Sequence, residues 1–420
     1  MLKRTYLSLF VAFFVSVGAV AADVPRAKAS DEGFSAEKLN ALDAHFKGYV
    51  ADGKLAGLTT LIARNGKIVH QKAYGEQDKA TQTPMTDDTV FRIYSMTKPI
   101  TGTAMMMLWE EGKYKLDDPV SKYLPSFRKQ RVFAGAAEGE KIKTVKLERE
   151  ATILDLMRHT AGLTYGVFGD TPIDRSYRAS AMFDPKNDLK AVVKELGKQP
   201  LLYQPGKAWV YSMATDVQGR LIEVLSGQTL AEFFEERIFK PLGMLDTSFQ
   251  VRADQRSRFA EVYGIDKEKG LTAYRGSFYR DFTKAPPFLS GGGGLVSTTE
   301  DYWRFAQMIA NGGALGGVRL LKPETVAMMR SDQLPKNLQG VGGGKLGLGF
   351  GLNFAVVLDT EKNGGKGRLG EYFWGGMANT LFWIDPKEDI VAILMTNVMP
   401  SGVFPLRNDM RKFVYEALVE

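Results

Sequence analysis

The strongest constraint on the fold of this chain is the position of its strand-like segments, which lie near both ends while the segments between them are mostly helical. Residues 58–63 and 67–74 are rich in β-branched and aromatic residues, and Asn65-Gly66 between them suits a tight hairpin turn. Strand character returns at residues 350–358, 380–384 and 389–396. We therefore predict one antiparallel sheet that is built from both chain ends.

Helical patterns flank and separate these strands. Ser35 is the expected N-cap of a first amphipathic helix that runs to about Val50, and Thr152 with Asp155 resembles a capping box. The other predicted helices cover residues 94–108, 152–157, 189–196, 215–225, 230–239, 299–309 and 406–418. The pattern predicts an α+β fold with α/β/α layers. Its sheet domain comprises residues 23–110 and 290–420, and an all-helical subdomain, residues 111–289, is inserted between them.

Residues 1–22 have the layout of a secretory signal. Lys3 and Arg4 precede an apolar run, and small residues up to Ala22 offer a cleavage site. The apolar run is short for a membrane span, so we expect an exported chain, located in a bacterial periplasm, with no stable membrane insertion of the mature protein. An uncleaved N-terminal anchor is the alternative.

Composition excludes several kinds of chemistry. The 420-residue chain has no cysteine, so disulfides, thiolate nucleophiles and cysteine metal sites do not arise, and stability must come from core burial. Its formal net charge of +7 comes from basic residues scattered along the chain. Clusters such as Arg128-Lys129-Gln130-Arg131 are short, so we expect no nucleic-acid partner.

Histidine-based catalysis is poorly supported. The sequence has no Gly-x-Ser-x-Gly elbow, and its three histidines, His45, His70 and His159, are widely separated. They also lack the spacing of a zinc site. We therefore expect no metal and no cofactor.

The pattern Ser-x-x-Lys offers a different route, because on a helix it places a hydroxyl and an amine one turn apart on the same face. It occurs three times, beginning at Ser35, Ser95 and Ser126. Only Ser95-Met96-Thr97-Lys98 leads into an unusually apolar helix, which predicts burial. The alternative is that Ser95 is only an N-cap and Lys98 extends along the surface to reach water.

Burial at a helix start would have two chemical consequences. Loss of water disfavours the charged ammonium of Lys98, which would let this amine act as a base near neutral pH. Free N–H groups at the helix start would stabilise an oxyanion.

Two further elements could complete such a site. Tyr211 lies at a loop-to-helix junction, where a phenol near Lys98 could relay a proton, although a packed aromatic is the alternative. In Trp374-Gly375-Gly376-Met377 the glycines beside a strand would allow close approach of a ligand to the backbone. The alternative is a simple glycine bend, which is common before a strand.

Taken together, these motifs resemble the serine β-lactamase and penicillin-binding-protein superfamily. The resemblance extends from about residue 30 to 415 and is to the class C β-lactamase-like group, with motifs most similar to family VIII carboxylesterases. It is carried by Ser95-Met96-Thr97-Lys98, Asp117-Asp118-Pro119-Val120, Leu156-Met157-Arg158-His159-Thr160-Ala161-Gly162-Leu163, Tyr211-Ser212, Pro241-Leu242-Gly243-Met244 and residues 292–301.

The resemblance implies a role for each motif. Ser95 would be the acylated nucleophile, and Lys98 and Tyr211 would be the base and proton relay. The N–H groups of Ser95 and Met377 would form the oxyanion hole, and His159 would be structural. Trp374, Gly375 and Gly376 would contact the substrate.

Two departures from the β-lactamase pattern bear on the substrate. Trp374 replaces the lysine of a Lys-Thr-Gly motif, which removes the cation that would bind the carboxylate of a β-lactam. Met213 stands where an asparagine is usual. The aromatic at position 374 favours an uncharged acyl substrate, Met213 removes an amide that could hold a side-chain carbonyl, and both changes argue against strong β-lactamase activity.

The sequence therefore predicts a serine carboxylesterase that hydrolyses or transfers the acyl groups of short uncharged esters. Two alternatives remain open. One is a β-lactamase or D-amino-acid peptidase acting on β-lactam-like or cell-wall substrates, and the other is a cell-wall-binding protein that acylates without turnover. The sequence predicts no particular oligomeric state.

Overall fold

The computed structural model describes residues 24–136 and 141–419. The predicted export signal, residues 1–22, lies outside the described residues. Within the described ranges, no helix is both long and apolar enough to cross a membrane.

The secondary structure follows the predicted alternation along the chain. The helices are α1 (Ala36–Ala51), α2 (Thr97–Glu110), α3 (Ile153–Met157), α4 (Pro172–Ala179), α5 (Leu189–Leu196), α6 (Ala214–Ser226), α7 (Leu230–Phe234), α8 (Lys240–Leu242), α9 (Thr299–Ala310), α10 (Pro323–Met329) and α11 (Leu406–Glu416). The strands are β1 (Gly57–Arg64), β2 (Lys67–Asp78), β3 (Thr83–Pro84), β4 (Phe91–Arg92), β5 (Val132–Gly135), β6 (Lys143–Val145), β7 (Tyr263–Asp266), β8 (Gly270–Ala273), β9 (Val296–Ser297), β10 (Ala314–Leu315), β11 (Val318–Arg319), β12 (Leu348–Phe350), β13 (Ala355–Val357), β14 (Tyr372–Gly375), β15 (Leu381–Asp385), β16 (Ile390–Thr396) and β17 (Val398–Met399).

One large sheet joins the two ends of the chain. Its eight strands lie in the order β12-β13-β14-β15-β16-β1-β2-β3, and every pairing is antiparallel. At its centre β1 pairs with β2 on one side and with β16 on the other, where Leu61 faces Ile393. The predicted antiparallel sheet of N- and C-terminal strands is confirmed.

Helices cover both faces of this sheet. On one face, Phe46 of α1 and Met410 of α11 belong to a core cluster with Ile62 of β1. On the other face, α2 and α9 pack in a larger cluster that includes Leu61 of β1 and extends into the helical region. Burial of apolar side chains on both faces explains why β1 and β16 are apolar along most of their length rather than alternating. The α/β/α layering is as expected.

The inserted segment, residues 111–289, is not all-helical as predicted. It contains the hairpins β5–β6 and β7–β8 beside its helices. Strand β7 also pairs in parallel with β17 from the C-terminal part of the chain, which forms a small three-stranded sheet. These strands have only two to four residues each, so they are too short to produce a clear alternating pattern in the sequence.

The predicted strand at residues 350–358 is also wrong in detail. It is a hairpin, in which β12 and β13 are joined by a buried turn with Asn353 at a positive φ of 66°. The Asn353 amide donates to Gln218 Oε1 at 2.7 Å, and its backbone N–H donates to Met157 O at 3.0 Å. These long-range bonds compensate for the left-handed backbone. Strand β14, which contains Trp374, was not predicted as a strand.

Candidate active site

Ser95 lies on a tight turn that precedes α2. Residues Tyr94–Met96 form a short 3-10 turn, with Tyr94 at a φ of 43°. The turn is held by a bond from Met96 N–H to Ile93 O at 3.0 Å and by the Tyr302 hydroxyl, which donates to Met96 O at 2.8 Å. The α-helix thus begins at Thr97 rather than at Tyr94 as predicted, and Met96 occupies its N-cap position. Ser95 is therefore not an N-cap.

Lys98 is buried beside Ser95. Its side chain belongs to a residue that is only 1% exposed, and its Nζ donates to Ser95 Oγ at 3.3 Å. The same Nζ donates to Gly292 O at 2.5 Å and lies 4.7 Å from the centre of the Tyr211 ring. The alternative of a lysine that extends along the surface is excluded by this placement.

Tyr211 completes the group from a distant part of the chain. Its hydroxyl donates to Ser95 Oγ at 2.7 Å. The segment that carries it is held by a bond from Val210 N–H to His159 O at 2.9 Å, just before α6 begins. The structure therefore brings together all three side chains that the sequence singled out, with Ser95 Oγ in contact with both the amine and the phenol.

A buried carboxylate, that of Asp216, holds the loop whose Gly292 carbonyl accepts from Lys98. Asp216 on α6 accepts from Ser290 Oγ at 2.6 Å and from Gly292 N–H at 3.1 Å. Burial raises the pKa of the Asp216 carboxyl, although the hydrogen bond from Ser290 and the charge of Lys98 oppose that rise. Because Gly292 O accepts from Lys98, Asp216 fixes the loop that orients the amine. Sequence reasoning missed Asp216 and used residues 292–301 only as part of the family resemblance.

Tyr165 is a second phenol that the sequence reasoning missed. Its ring centre lies 5.3 Å from Lys98 Nζ and 5.2 Å from the ring of Tyr211. Burial raises the pKa of the Tyr165 hydroxyl well above its ordinary value, and Tyr211 and Asp216 add to the rise. Tyr165 therefore stays neutral and can act only as a hydrogen-bonding group. Its signal in the sequence was its position two residues after the His159 motif, which ends at Leu163.

The histidines do not take part in a catalytic triad in the described structure. His45 Nε2 lies 2.9 Å from Asp409 and His70 Nε2 lies 3.2 Å from Thr60. His159 is buried with its Nδ1 3.2 Å from Ser212 Oγ, and burial together with the charge of Lys98 lowers the pKa of His159 well below its usual value. Across residues 24–136 and 141–419, no three metal-ligating side chains are grouped to hold an ion.

Strand β14 lies against the nucleophile turn. A Cβ at Gly376 would collide with Ile93 O, and one at Gly375 would lie 2.8 Å from Arg407 Cζ. The glycine pair thus admits the protein's own backbone and guanidinium, whereas the sequence suggested the approach of a ligand. Gly376 N–H donates to Thr380 O at 2.9 Å. Met377 packs in the cluster that contains Tyr94, so the predicted oxyanion donors lie on neighbouring segments.

Aromatic rings surround Tyr211. Trp374 lies 5.4 Å from the Tyr211 ring between ring centres, and Phe168, which is 60% exposed, lies 5.7 Å away. The other rings that contact Tyr211 are those of His159, Tyr165 and Trp209. The mouth of the site is therefore apolar on the Tyr211 side, whereas Asp216 and Gly292 make the interior polar.

Comparison with known proteins places the chain in a family. The family model described as beta-lactamase matches residues 42–416. The chain belongs to the beta-lactamase family. Protein Rv1367c of Mycobacterium tuberculosis is 36% identical over 356 residues, which cover 83% of this chain and 87% of that protein.

A second relative and a solved structure have named activities. Esterase EstB of Burkholderia gladioli is 32% identical over 395 residues, which cover 89% of this chain and 94% of that protein. The solved structure of EstCE1, described as a hydrolase with promiscuous acyltransferase activity, is 26% identical with a TM-score of 0.74. The match covers 90% of this chain and 98% of EstCE1. EstCE1 therefore shares nearly the whole fold of this chain.

Proposed function

We propose that this protein is a serine carboxylesterase of the beta-lactamase family, with Ser95 as its nucleophile. One observation carries the proposal: Ser95 Oγ lies 3.3 Å from Lys98 Nζ and 2.7 Å from the Tyr211 hydroxyl. A serine hydroxyl is a weak nucleophile until a base accepts its proton, and both neighbours are within reach to do so. The name of Esterase EstB and the description of EstCE1 as a hydrolase with acyltransferase activity support the same chemistry.

The proposed reaction has two steps. Ser95 Oγ attacks the ester carbonyl while its proton passes to the unprotonated Lys98 amine, either directly or through the Tyr211 hydroxyl, and the N–H groups of Ser95 and Met377 stabilise the oxyanion. The C–O bond of the ester then breaks, and the alcohol leaves with the proton relayed through Tyr211. Water, or a second alcohol, then attacks the acyl carbon and gives its proton to the same base. The bond between Ser95 Oγ and the acyl carbon breaks, the base returns the proton to Ser95 Oγ, and the acid or new ester leaves. The buried loop of Gly292 keeps the amine oriented throughout.

The charges near the site favour an uncharged acyl group. Trp374 occupies the position at which a lysine would bind a substrate carboxylate. The neighbouring cation is Arg407, and burial lowers the pKa of Arg407 to about 10, which leaves it charged at neutral pH. Its guanidinium donates to Gly376 O and Thr380 O. Because backbone carbonyls engage this cation, it is a poor partner for an anionic substrate.

A substrate panel tests the proposal. Wild-type protein, Ser95→Ala and the matched control Ser35→Ala would be assayed with p-nitrophenyl butyrate, the corresponding anilide and the chromogenic β-lactam nitrocefin. We expect turnover of the ester by wild type and Ser35→Ala, loss of that turnover in Ser95→Ala, and much slower turnover of nitrocefin. Unchanged ester turnover in Ser95→Ala would remove Ser95 from the scheme.

The two alternatives give distinct outcomes in the same panel. Faster turnover of nitrocefin than of the ester would favour a β-lactamase or peptidase. Intact-mass measurement after mixing with nitrocefin would reveal a binding protein, because a persistent adduct on Ser95 without multiple turnover is its signature.

We also propose that residues 1–22 direct export to a bacterial periplasm, on the basis of their signal-like sequence. Expression of the full chain in a Gram-negative host, fractionation and N-terminal sequencing test this. A periplasmic product that begins near Ala22 is expected, and a cytoplasmic product with Met1 retained would contradict the proposal.

A further inference from the structure

A second concave site lies on the inserted segment, among residues that take no part in the Ser95 site. It is formed between a turn at residues 123–126, helix α5 and helix α6, and its volume is about 530 Å³. Cavities of this size are typical of small-molecule sites. None of its lining residues has a role in the mechanism proposed above.

The floor of this cavity is apolar. Leu124 and Pro125 contribute from the turn, Val193 from α5 and Val224 from α6. Val224 is 40% exposed, so part of this apolar surface is open to water. Covering such surface with an alkyl chain would remove it from water, which is favourable in proportion to the area covered.

The rim of the same cavity is cationic. Lys190, Lys194 and Lys198 follow one another at helical spacing along and just beyond α5, and Arg220 faces them from α6. No carboxylate is among the lining residues, but Glu195 and Glu223 beside the cavity pair with Lys198 and Arg220, so two unpaired positive charges remain, those of Lys190 and Lys194. Lys190 and Lys194 are four residues apart on α5, a spacing at which like charges repel slightly, and a bound anion would relieve that repulsion.

Two of these cations lack a protein partner. Lys198 pairs with Glu195 at 2.5 Å and Arg220 with Glu223 at 2.7 Å. Lys190 and Lys194 make no ion pair or side-chain hydrogen bond with any residue in the described parts of the chain. Their ammonium groups are therefore available for a ligand.

We propose that this cavity binds an amphipathic carboxylate, a fatty-acid anion, with its alkyl chain on the apolar floor and its head group between Lys190 and Lys194. An inorganic anion would leave the floor uncovered, and a neutral hydrocarbon would leave the lysines unpaired. This inference is independent of the esterase proposal, because it concerns residues outside the Ser95 site.

Calorimetric titration of the full chain with monomeric decanoate, below its micelle concentration, tests the proposal. We expect saturable binding to wild type, and a dissociation constant raised roughly tenfold in the Lys190→Ala/Lys194→Ala double variant, since two partly exposed charge contacts are lost. Val224→Asp should weaken binding at least as much, because it places a carboxylate in the floor. Lys186→Ala, an exposed lysine outside the cavity, is the matched control.

Several outcomes would overturn the proposal. One is a wild-type dissociation constant in the double variant, which would place decanoate elsewhere, including in the Ser95 site. Another is an equal loss in Lys186→Ala, which would indicate general charge attraction. Tight binding of neutral 1-decanol would remove the role of the lysines. Binding to phosphatidylglycerol vesicles without binding of monomeric decanoate would identify a membrane-facing surface instead. Thermal melting of each variant confirms that the fold is retained.

Discussion

Two serine–lysine pairs in this chain have the same spacing and different surroundings. At the start of α1, Ser35 Oγ accepts the backbone N–H of Lys38 at 3.3 Å, and the Lys38 side chain is exposed. At the start of α2, Ser95 Oγ instead meets the side-chain Nζ of a fully buried Lys98. The first pair caps a helix, and the second is the pair that we propose as the reactive group. The comparison shows that the same spacing gives a helix cap where the lysine is exposed and a hydroxyl–amine contact where the lysine is buried.

The largest expected effect in this comparison comes from the lysines. Lys98→Ala should lower kcat/KM for p-nitrophenyl butyrate by a factor of roughly 10² or more, because a positioned base is lost. Lys38→Ala should leave kcat/KM unchanged, since that side chain is in solvent. Steady-state kinetics of both variants check this. Similar activity in the two variants would mean that burial does not separate the two pairs.

The next effect concerns the Tyr211 hydroxyl, a contact of Ser95 Oγ that has no counterpart at Ser35 in the described structure. Tyr211→Phe keeps the ring packing but removes the hydroxyl that contacts Ser95 Oγ, so kcat/KM should fall by a factor of about 10². Tyr203→Phe is the control, because Tyr203 is 47% exposed and outside the site. Rates would be measured for both across pH 6 to 9. Retention of wild-type rates in Tyr211→Phe would leave Lys98 as the sole base.

A smaller effect is expected from the carboxylate behind Lys98. Asp216→Ala removes the acceptor for Ser290 and for Gly292 N–H, so the loop that orients the amine loosens and kcat should fall roughly tenfold, the scale of a lost charge-assisted hydrogen bond. Asp216→Asn should cost less, because its amide oxygen still accepts from Gly292. The expected signature is a change in kcat with little change in KM. Equal losses in both variants would instead indicate a general packing defect.

The smallest effect belongs to the capping pair. Ser35→Ala should lower the free energy of unfolding by about 1 kcal/mol, the usual value of an N-cap, without altering kcat/KM. Urea denaturation and ester kinetics on the same preparation measure both quantities. A loss of activity at unchanged stability would contradict the assignment of Ser35 as structural.

Local sequence patterns were sufficient to predict the helix caps, the central sheet and the three main side chains of the candidate site. The capping interactions of Ser35 and of Thr152 with Asp155 are present in the structure, because they depend on residues three positions apart. The central sheet also followed from the pattern, since β1 and β16 are long and apolar. Ser95, Lys98 and Tyr211 could be selected because each lies in a distinctive local context.

The features that sequence reasoning missed depend on contacts between distant residues. The turn at Asn353 interrupts an apolar run only because Gln218 and Met157 bind it. Asp216 has no distinctive neighbours in sequence, and Tyr165 is marked only by its closeness to the His159 motif. The importance of both appears only when Gly292 and Lys98 are placed beside them. The glycines at 375 and 376 were assigned to ligand approach, because nothing in the sequence indicates that Ile93 and Arg407 occupy that space.

The pairing of β1 with β16 has a consequence for how this protein folds during its synthesis. The central pair of strands cannot form until Ile393, which faces Leu61, has been synthesised. The ribosome must therefore complete nearly the whole chain before the centre of the sheet can form. Until then β1 and β2 form only a lone hairpin, which is marginally stable in water. Contacts so distant in sequence also slow folding. A premature stop before Ile390 would therefore leave the first two strands without the neighbour on which the sheet is built.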